Sequence, residues 1–340
     1  STPFDALEGP RIPVMVIDTE HILSVLWSKS EPFHSVPCHC IDVGATAQMV
    51  LAAPAFRATV AKLESAMGLS MEDGLSNWIG YLFSLHDYGK CEPHFQGKCP
   101  ELTGPLRDRG LVVISAEGCR GYRHESVSAD FLNQELRERR GWGRKAVEPV
   151  GTAIKAHHGS FTPKEHDRPT NESWRQLQGK LHAVLESVFQ PPPWSPNTFP
   201  HRSQASMLLC GLLVLSDWIA SNAELFGLQQ QPGESYRDYA ERARARARQC
   251  LEEMNLHQLP QVGPVESFEQ VWKGFAPRDL QTECVELLKD IDGPGLLLAE
   301  APMGEGKSEL SVYAALRLTS LCDGGGFYLA LPTAATSNQM

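Results

Sequence analysis

Apolar positions recur at helical spacing through most of the first 250 residues. "GLSNWIGYLFSLHD" carries them on one stripe. "HESVSADFLNQELRERRG" is amphipathic and ends in a basic turn before Gly141, the punctuation of a helix C-terminus. "KLHAVLESVFQ" is a further amphipathic segment, stopped by the rigid "PPPWSP". "CIDVGATAQMVLAA" opens near Asp42 and runs through helix formers. "MLLCGLLVL" (Met207 to Leu215) is the most apolar stretch; it falls short of the roughly 20 residues that span a bilayer, so it predicts a buried core helix. "YRDYAERARARARQCLEEM" is a helix by propensity, with Arg242, Arg244, Arg246 and Arg248 at every second residue. That spacing spreads them around the helix and predicts a solvated face, with a nucleic-acid patch as the sharper alternative.

After "HQLPQVGPVES" (His257 to Ser267) the texture changes. "GPGLLLAEAPMGEGKSELSVYAALRL" predicts a strand at Gly295 to Ala299, a glycine loop and a helix, and "GGGFYLALPTAATSNQM" predicts a second strand. The pattern divides the chain into a helical domain over 1–255, a linker at 256–267 and the beginning of an α/β domain over 268–340.

Composition narrows the function without naming it. The formal net charge is -10, which excludes a wholly basic nucleic-acid binder and leaves room for a local basic groove. Nine cysteines form no CxxC pair, and the closest two, Cys38 and Cys40, flank a histidine; they predict reduced thiols in a cytoplasmic protein rather than a zinc ribbon or disulfide framework. "STPFDALEGPRIP" has neither the basic nor the apolar region of a signal peptide, and no membrane partner is expected.

The chemistry lies in scattered imidazoles and carboxylates. His39 leads into one helix, His86 and Asp87 end another, and His124 opens a third. His157 and His158 are adjacent in "AHHGS", and Asp217 ends the apolar helix. Neighbouring imidazoles on an apolar segment repel when charged, and metal ligation keeps both neutral. The set suits a divalent transition metal: Fe²⁺, Mn²⁺, Ni²⁺, Co²⁺ or Zn²⁺. Seven such groups exceed the four to six that one ion takes and suggest two ions, an arrangement that can clamp a phosphodiester. His34 competes with His39 as the first ligand; His39 is preferred because it runs directly into the helix, with Asp42 three residues on.

The order H, HD, H, HH, D resembles the HD-superfamily phosphohydrolases. The strings "CHCIDVGATA", "LHDYGKCEPHFQ", "RHESVSA", "AHHGS" and "SDWIAS" further resemble the HD nuclease domain of the signature nuclease-helicase of type I CRISPR systems, over most of residues 15–250. The resemblance implies a metal-dependent DNase directed at single-stranded DNA. It assigns metal-ligand roles to His39, His86, Asp87, His124, His157, His158 and Asp217. Asp87 would bridge two ions, and Lys90 would lie near the scissile phosphate. It also implies a guide-RNA surveillance complex as partner. An inhibitor protein is a partner class that the sequence leaves open. Trp78, Tyr88 and Phe95 are candidates for base stacking, against core packing.

"APMGEGKS" supplies a second motif. Gly304, Gly306, Lys307 and Ser308 follow a predicted strand and precede a helix, the context of a phosphate-cradling loop in which Lys307 reaches the phosphates and Ser308 ligates Mg²⁺. Ala301 stands where the first glycine of the common form would be, so the loop resembles that of superfamily-two helicases and the α/β part resembles the start of a RecA-like domain. "FAPRDLQTE" resembles their adenine-reading motif, with Gln281 in that role and Arg278 in support. Pro332 and Thr333 would lie near a DNA backbone. Only the first motifs of such a domain are present, so the sequence reads as a segment of a longer protein, with ATP-driven activity expected of the whole. The alternatives are an HD nucleotide phosphohydrolase and a non-enzymatic module that keeps the HD fold.

Overall fold

The computed structural model describes residues 19–119, 121–159, 171–258, 263–293, 295–321, 327 and 329. It is mainly helical, and two units separate. One comprises Ser1–Ala52 and Phe56–Leu251, the other Ala53–Ala55 with Glu252–Met340.

The centre of the first unit is α1 (Val36–Ala52), whose side chains are buried almost all round. Its sequence is mostly apolar and small, with His39, Asp42, Thr46 and Gln48 as buried polar exceptions, which suits a helix enclosed by others. The other long helices are α2 (Arg57–Met67), α3 (Leu75–Ser84), α4 (His124–Gln134), α5 (Arg144–Ala156), α6 (Glu172–Phe189), α7 (Arg202–Ser221) and α8 (Tyr236–Glu253). Helix α1 packs on α3 and α7, α7 packs on α5, and α5 packs on α4. A five-residue π-helix, Glu135–Arg139, continues α4, and Gly141 follows in the left-handed region. Helix α6 begins at Asn171, whose side chain accepts the Trp174 N–H at 3.1 Å. The "PPPWSP" loop then lies over the indoles of Trp78 and Trp142, which donate to the carbonyls of Pro192 (3.0 Å) and Trp194 (2.7 Å).

Helix α7 is long and apolar enough by length and composition to cross a membrane. Leu209, Leu212, Leu213 and Ile219 are nevertheless buried in a unit where α7 packs on α1, α2 and α5. The helix that "MLLCGLLVL" predicts thus forms, extended to 20 residues, but only one face of it is core: Met207 and Val214 of that stretch are exposed, a correction to the expectation of full burial.

The arginines of α8 are mostly committed to their own unit. Arg242 pairs with Glu234 at 2.6 Å, Arg244 donates to Gln48 Oε1 at 2.8 Å, and Arg246 donates to the Phe226 carbonyl at 3.1 Å. Arg248 is exposed.

A short antiparallel ladder joins β1 (Trp27–Lys29) and β2 (His34–Ser35), with Trp27 opposite Ser35 and Lys29 opposite His34. Gln96 extends it by side chain. Its Oε1 accepts the Trp27 N–H (3.1 Å), and its Nε2 donates to the carbonyls of Trp27 and Lys90, both at 2.9 Å.

The second unit contains α9 (Asp279–Lys289) and α10 (Lys307–Leu321), joined by a small core of Phe268, Leu288, Tyr313 and Ala314. The strand expected at Gly295 to Ala299 is not formed: the segment makes no ladder, and Leu296 and Leu298 are exposed. A buried parallel strand is stabilised by neighbours on both sides, and the described residues of this unit supply none. The second expected strand, together with Pro332 and Thr333, lies almost wholly outside the described residues.

Candidate metal centre

The seven histidines and aspartates singled out in the sequence converge on one place. His39 comes from the first turn of α1, His86 and Asp87 from the end of α3, and His124 from the start of α4. His157 and His158 follow the end of α5, and Asp217 lies in the last turn of α7. The ends of these five helices come together because α1 packs on α3 and α7, α7 on α5 and α5 on α4, with the turn at Tyr88–Lys90 seated on α4.

That turn depends on Gly89. A Cβ at this position would lie 2.2 Å from the His124 carbonyl oxygen. The Gly89 N–H donates to Ser128 Oγ at 2.8 Å, and the Tyr122 hydroxyl donates to the Gly89 carbonyl at 2.6 Å. The backbone therefore seats directly on the start of α4, bringing Asp87 against His124.

Asp87 is the hub. Its Oδ2 faces His39 Nε2 at 3.0 Å, His86 Nε2 at 3.2 Å and Lys90 Nζ at 2.6 Å. Its Oδ1 faces His124 Nε2 at 2.9 Å and His157 Nε2 at 3.7 Å. Asp217 Oδ1 lies 3.5 Å from His39 Nε2 and 3.7 Å from His86 Nε2. His158 Nε2 is 3.1 Å from His124 Nε2. Three overlapping groups have ligand atoms within 4.8 Å of one another: His39, His86 and Asp87; Asp87, His124, His157 and His158; and His86, His157 and Asp217.

The donor atoms suit a cation. His86 Nδ1 donates to the Phe83 carbonyl at 2.8 Å and His157 Nδ1 to the Ile154 carbonyl at 2.5 Å. A backbone acceptor fixes the proton on Nδ1 and turns the Nε2 lone pair to the centre, as a ligating imidazole requires. Both Nε2 atoms are buried with no hydrogen-bond partner among the described residues. Such orphans ordinarily cost about 1–3 kcal/mol each. Imidazoles with carboxylates fit a borderline divalent metal.

Electrostatics agree. Burial pushes His39 down to about 3 against the pull of Asp87. Burial and the neighbouring His86 push His157 down to about 4. His86 moves the other way: burial disfavours its charge, but Asp87 and Asp217 outweigh it and raise it to about 10. Asp87 stays well below the usual carboxylate range because His86, Lys90 and His124 overcome the cost of burial. Two ionised carboxylates thus face the centre, and a cation would replace the proton they hold on His86. Cys38 and Cys40 are not part of this set. Burial pushes the Cys38 thiol up to about 12 and Cys40 well above its ordinary value.

His34 has its ring centroid 6.3 Å from that of His39 but is engaged by other groups. Its Nε2 meets Asp42 Oδ2 at 2.6 Å, and Tyr239 donates to the same oxygen at 3.1 Å. Lys90 is buried, its ammonium shared between Asp87 and Ser28 Oγ (3.1 Å). The three stacking candidates are core residues. Trp78 is fully buried against Trp142 and Trp194, Tyr88 stacks on Phe131 at 3.8 Å, and Phe95 packs on Trp27 at 4.5 Å. Their apolar area has more to gain in the core than at a wet groove. Ser28, Lys29 and Ser221 border the site and were missed. A three-residue strand has no periodicity to read, and Ser221 looks like an ordinary helix-end serine.

In the second unit, Arg278, Gln281, Gly304, Gly306, Lys307 and Ser308 line one cavity of about 610 Å³ with Phe268, Trp272 and Phe275. Gly304 and Gly306 take left-handed φ of 88° and 74°, the turn of a phosphate-binding loop. The polar side chains are turned onto the loop. Lys307 Nζ donates to the carbonyls of Ala301 (2.5 Å) and Pro302 (2.7 Å), Gln281 Nε2 donates to that of Gly306 (2.9 Å), and Arg278 donates to that of Gly304. Gln281 Oε1 accepts the Arg278 N–H at 2.9 Å, so reading an adenine edge would exchange these bonds.

The family model described as Cas3, HD domain matches residues 27–226. A CRISPR-associated endonuclease/helicase Cas3 of Thermus thermophilus is 31% identical over 334 residues, 95% of this chain and 35% of that protein. The chain spans about a third of the length of the curated relatives it matches. Among solved structures, a crystal structure of a CRISPR-associated protein is 27% identical with a TM-score of 0.68, over 96% of this chain and 37% of that one. The Thermus thermophilus Cas3 HD domain, crystallised in the presence of Ni²⁺, is 25% identical with a TM-score of 0.51, over 68% of this chain and 90% of that one. A chain of a CRISPR RNA-guided surveillance complex, pre-nicking, shares the fold at 23% identity and a TM-score of 0.54, over 93% of this chain and 37% of that one.

Proposed function

The chain belongs to the Cas3 HD domain family, and on that premise we propose that its helical unit is a divalent-metal nuclease that cuts single-stranded DNA. The observation that carries this reading is Asp87, whose two oxygens face two different sets of imidazoles. One carboxylate placed in this way suits a pair of ions that share it. His39, His86 and Asp217 would complete one side, and His124, His157 and His158 the other. The bound ions would activate water and offset the charge of a phosphodiester. The residues of the chain do the rest. Main-chain carbonyls hold the His86 and His157 imidazoles with Nε2 inward, Asp87 and Asp217 provide the negative charge, and Lys90 steadies Asp87 from the side opposite His124.

The second unit would contribute the ATP and Mg²⁺ site of a helicase, with Lys307 and Ser308 at the phosphates and Gln281 and Arg278 at the base. In the whole protein this motor would feed DNA to the nuclease, and an RNA-guided surveillance complex of a type I CRISPR system would recruit it. The solved neighbour in a pre-nicking complex supports that partner.

The test is cutting of circular single-stranded DNA by the intact chain with Mn²⁺, Ni²⁺, Co²⁺ or Fe²⁺. Metal-dependent linearisation that Asp87→Ala abolishes supports the reading. Hydrolysis of deoxynucleoside triphosphates without nicking would instead favour a nucleotide phosphohydrolase. Anomalous scattering at the metal edges would identify and count the ions.

A further inference from the structure

Resting on the metal reading of Asp217, we propose that Lys29 and Ser221 are positioning residues that set the Asp217 carboxylate in the cluster. Asp217 is the aspartate that needs such help. Its side chain is about 20% exposed, whereas that of Asp87 is buried and surrounded by five cationic or imidazole groups. His86 and His157 are oriented by carbonyls of their own helices. Asp217 is oriented by the hydroxyl of Ser221, one turn on, which donates to Oδ1 at 2.9 Å. Oδ1 is also the oxygen that faces His39 and His86. A bond on that oxygen fixes the rotation of the carboxylate as well as its position.

Ser221 is the last residue of α7, where carbonyls lack intrahelical donors and the helix end carries partial negative charge. Lys29 Nζ donates to the Ser221 carbonyl at 2.5 Å across 192 residues of sequence. An ammonium there caps the helix and prevents its last turn from fraying, which would carry Ser221 away from Asp217. Lys29 is itself indexed. Gln96 clamps Trp27 to the Lys90 carbonyl, so β1 cannot slide past the HD turn. From this strand Ser28 accepts from Lys90 and Lys29 donates to α7. Two consecutive residues thereby reach both aspartates of the centre, Asp87 through Lys90 and Asp217 through Ser221.

The experiment titrates Mn²⁺ into the metal-free intact chain by calorimetry. It compares Ser221→Ala, Ser221→Thr, Lys29→Met and Lys29→Arg with the parent, and follows apo thermal melts in parallel. Loss of an outer partner of a metal ligand costs about 10- to 100-fold in affinity. Ser221→Ala and Lys29→Met should each weaken Mn²⁺ binding by about tenfold or more on that scale, while Ser221→Thr and Lys29→Arg restore it. Parental affinity in both Ser221→Ala and Lys29→Met overturns the inference and leaves the metal reading standing. A parent that binds no Mn²⁺ overturns the metal reading and the inference with it. Weaker binding that tracks a lowered apo melting temperature, and that Thr and Arg fail to restore, overturns the positioning role in favour of a structural one. Should Lys29→Met fail to fold, Ser221→Ala removes only a hydroxyl and decides the question.

Discussion

The two polar sites of this chain are built on opposite principles. In the helical unit, His86 and His157 are buried and oriented by main-chain acceptors, and their Nε2 atoms have no hydrogen-bond partner among the described residues, so the cost of desolvation is met during folding. In the second unit, Lys307, Gln281 and Arg278 bond to carbonyls of the loop they serve. A cation entering the first site would satisfy these two nitrogens, which have no other partner among the described residues. A nucleotide entering the second must displace bonds already made. The first site should therefore bind tightly and tolerate substitution poorly, and the second should bind more weakly and open and close with its ligand.

The sharpest way to break this contrast is Asp87→Ala. It should abolish metal-dependent cutting by at least about 10³-fold, the scale of losing an essential active-site group, and leave nucleotide binding unchanged; nuclease assays beside a fluorescent-nucleotide titration would check both halves. Next comes Lys307→Ala. Loss of a charged hydrogen bond of about 1.5–3 kcal/mol should weaken ATP affinity about 10- to 100-fold without altering the Mn²⁺ isotherm. An altered isotherm would show that the sites are not separate.

Gly89→Ala probes the rigidity of the first site. The methyl would meet the His124 carbonyl 2.2 Å away, and overpacking of this kind costs about 1–3 kcal/mol. Chemical denaturation should show the loss, together with weaker Mn²⁺ binding.

The smallest effect concerns acid. Burial pushes Glu135 up, but His182 and Arg140 outweigh it and bring it from 4.5 down to about 2. A carboxylate depressed on folding stabilises above its unfolded value and loses that contribution as pH falls through the folded one. Stability of the helical unit should decline between pH 4.5 and about 2. Glu135→Gln should flatten that decline in melts followed by circular dichroism.

The convergence of the histidines and aspartates of the first unit was legible in sequence because they sit at helix ends. The breaks in helical periodicity before His86 and after Ala156 mark those ends, and the residue types there are ones a core seldom keeps without reason. His34 and His39 were both in view, and their partners tell them apart: Asp42 and Tyr239 engage His34, while His39 faces Asp87. Burial of aromatics was not legible. Trp78, Tyr88 and Phe95 lie beside the motif in sequence, but their rings fill the space between helices. The partners of Asp217 could not be read either, since a contact across 192 residues leaves no local pattern. In the second unit the loop signature was plain. The strand before it was inferred from apolar run alone, and such a run becomes a strand only beside a neighbour.

Paired backbones can shift by two residues and keep every side chain on its face. A side-chain amide offers one oxygen and one nitrogen, and these can be seated in a single way on Trp27 and Lys90. β1 is therefore keyed as well as held, and the key distinguishes chemically similar blanks. Glutamate has the length but no donor for the two carbonyls, and asparagine has the donor but is one methylene short. A library at position 96 should thus return glutamine almost alone.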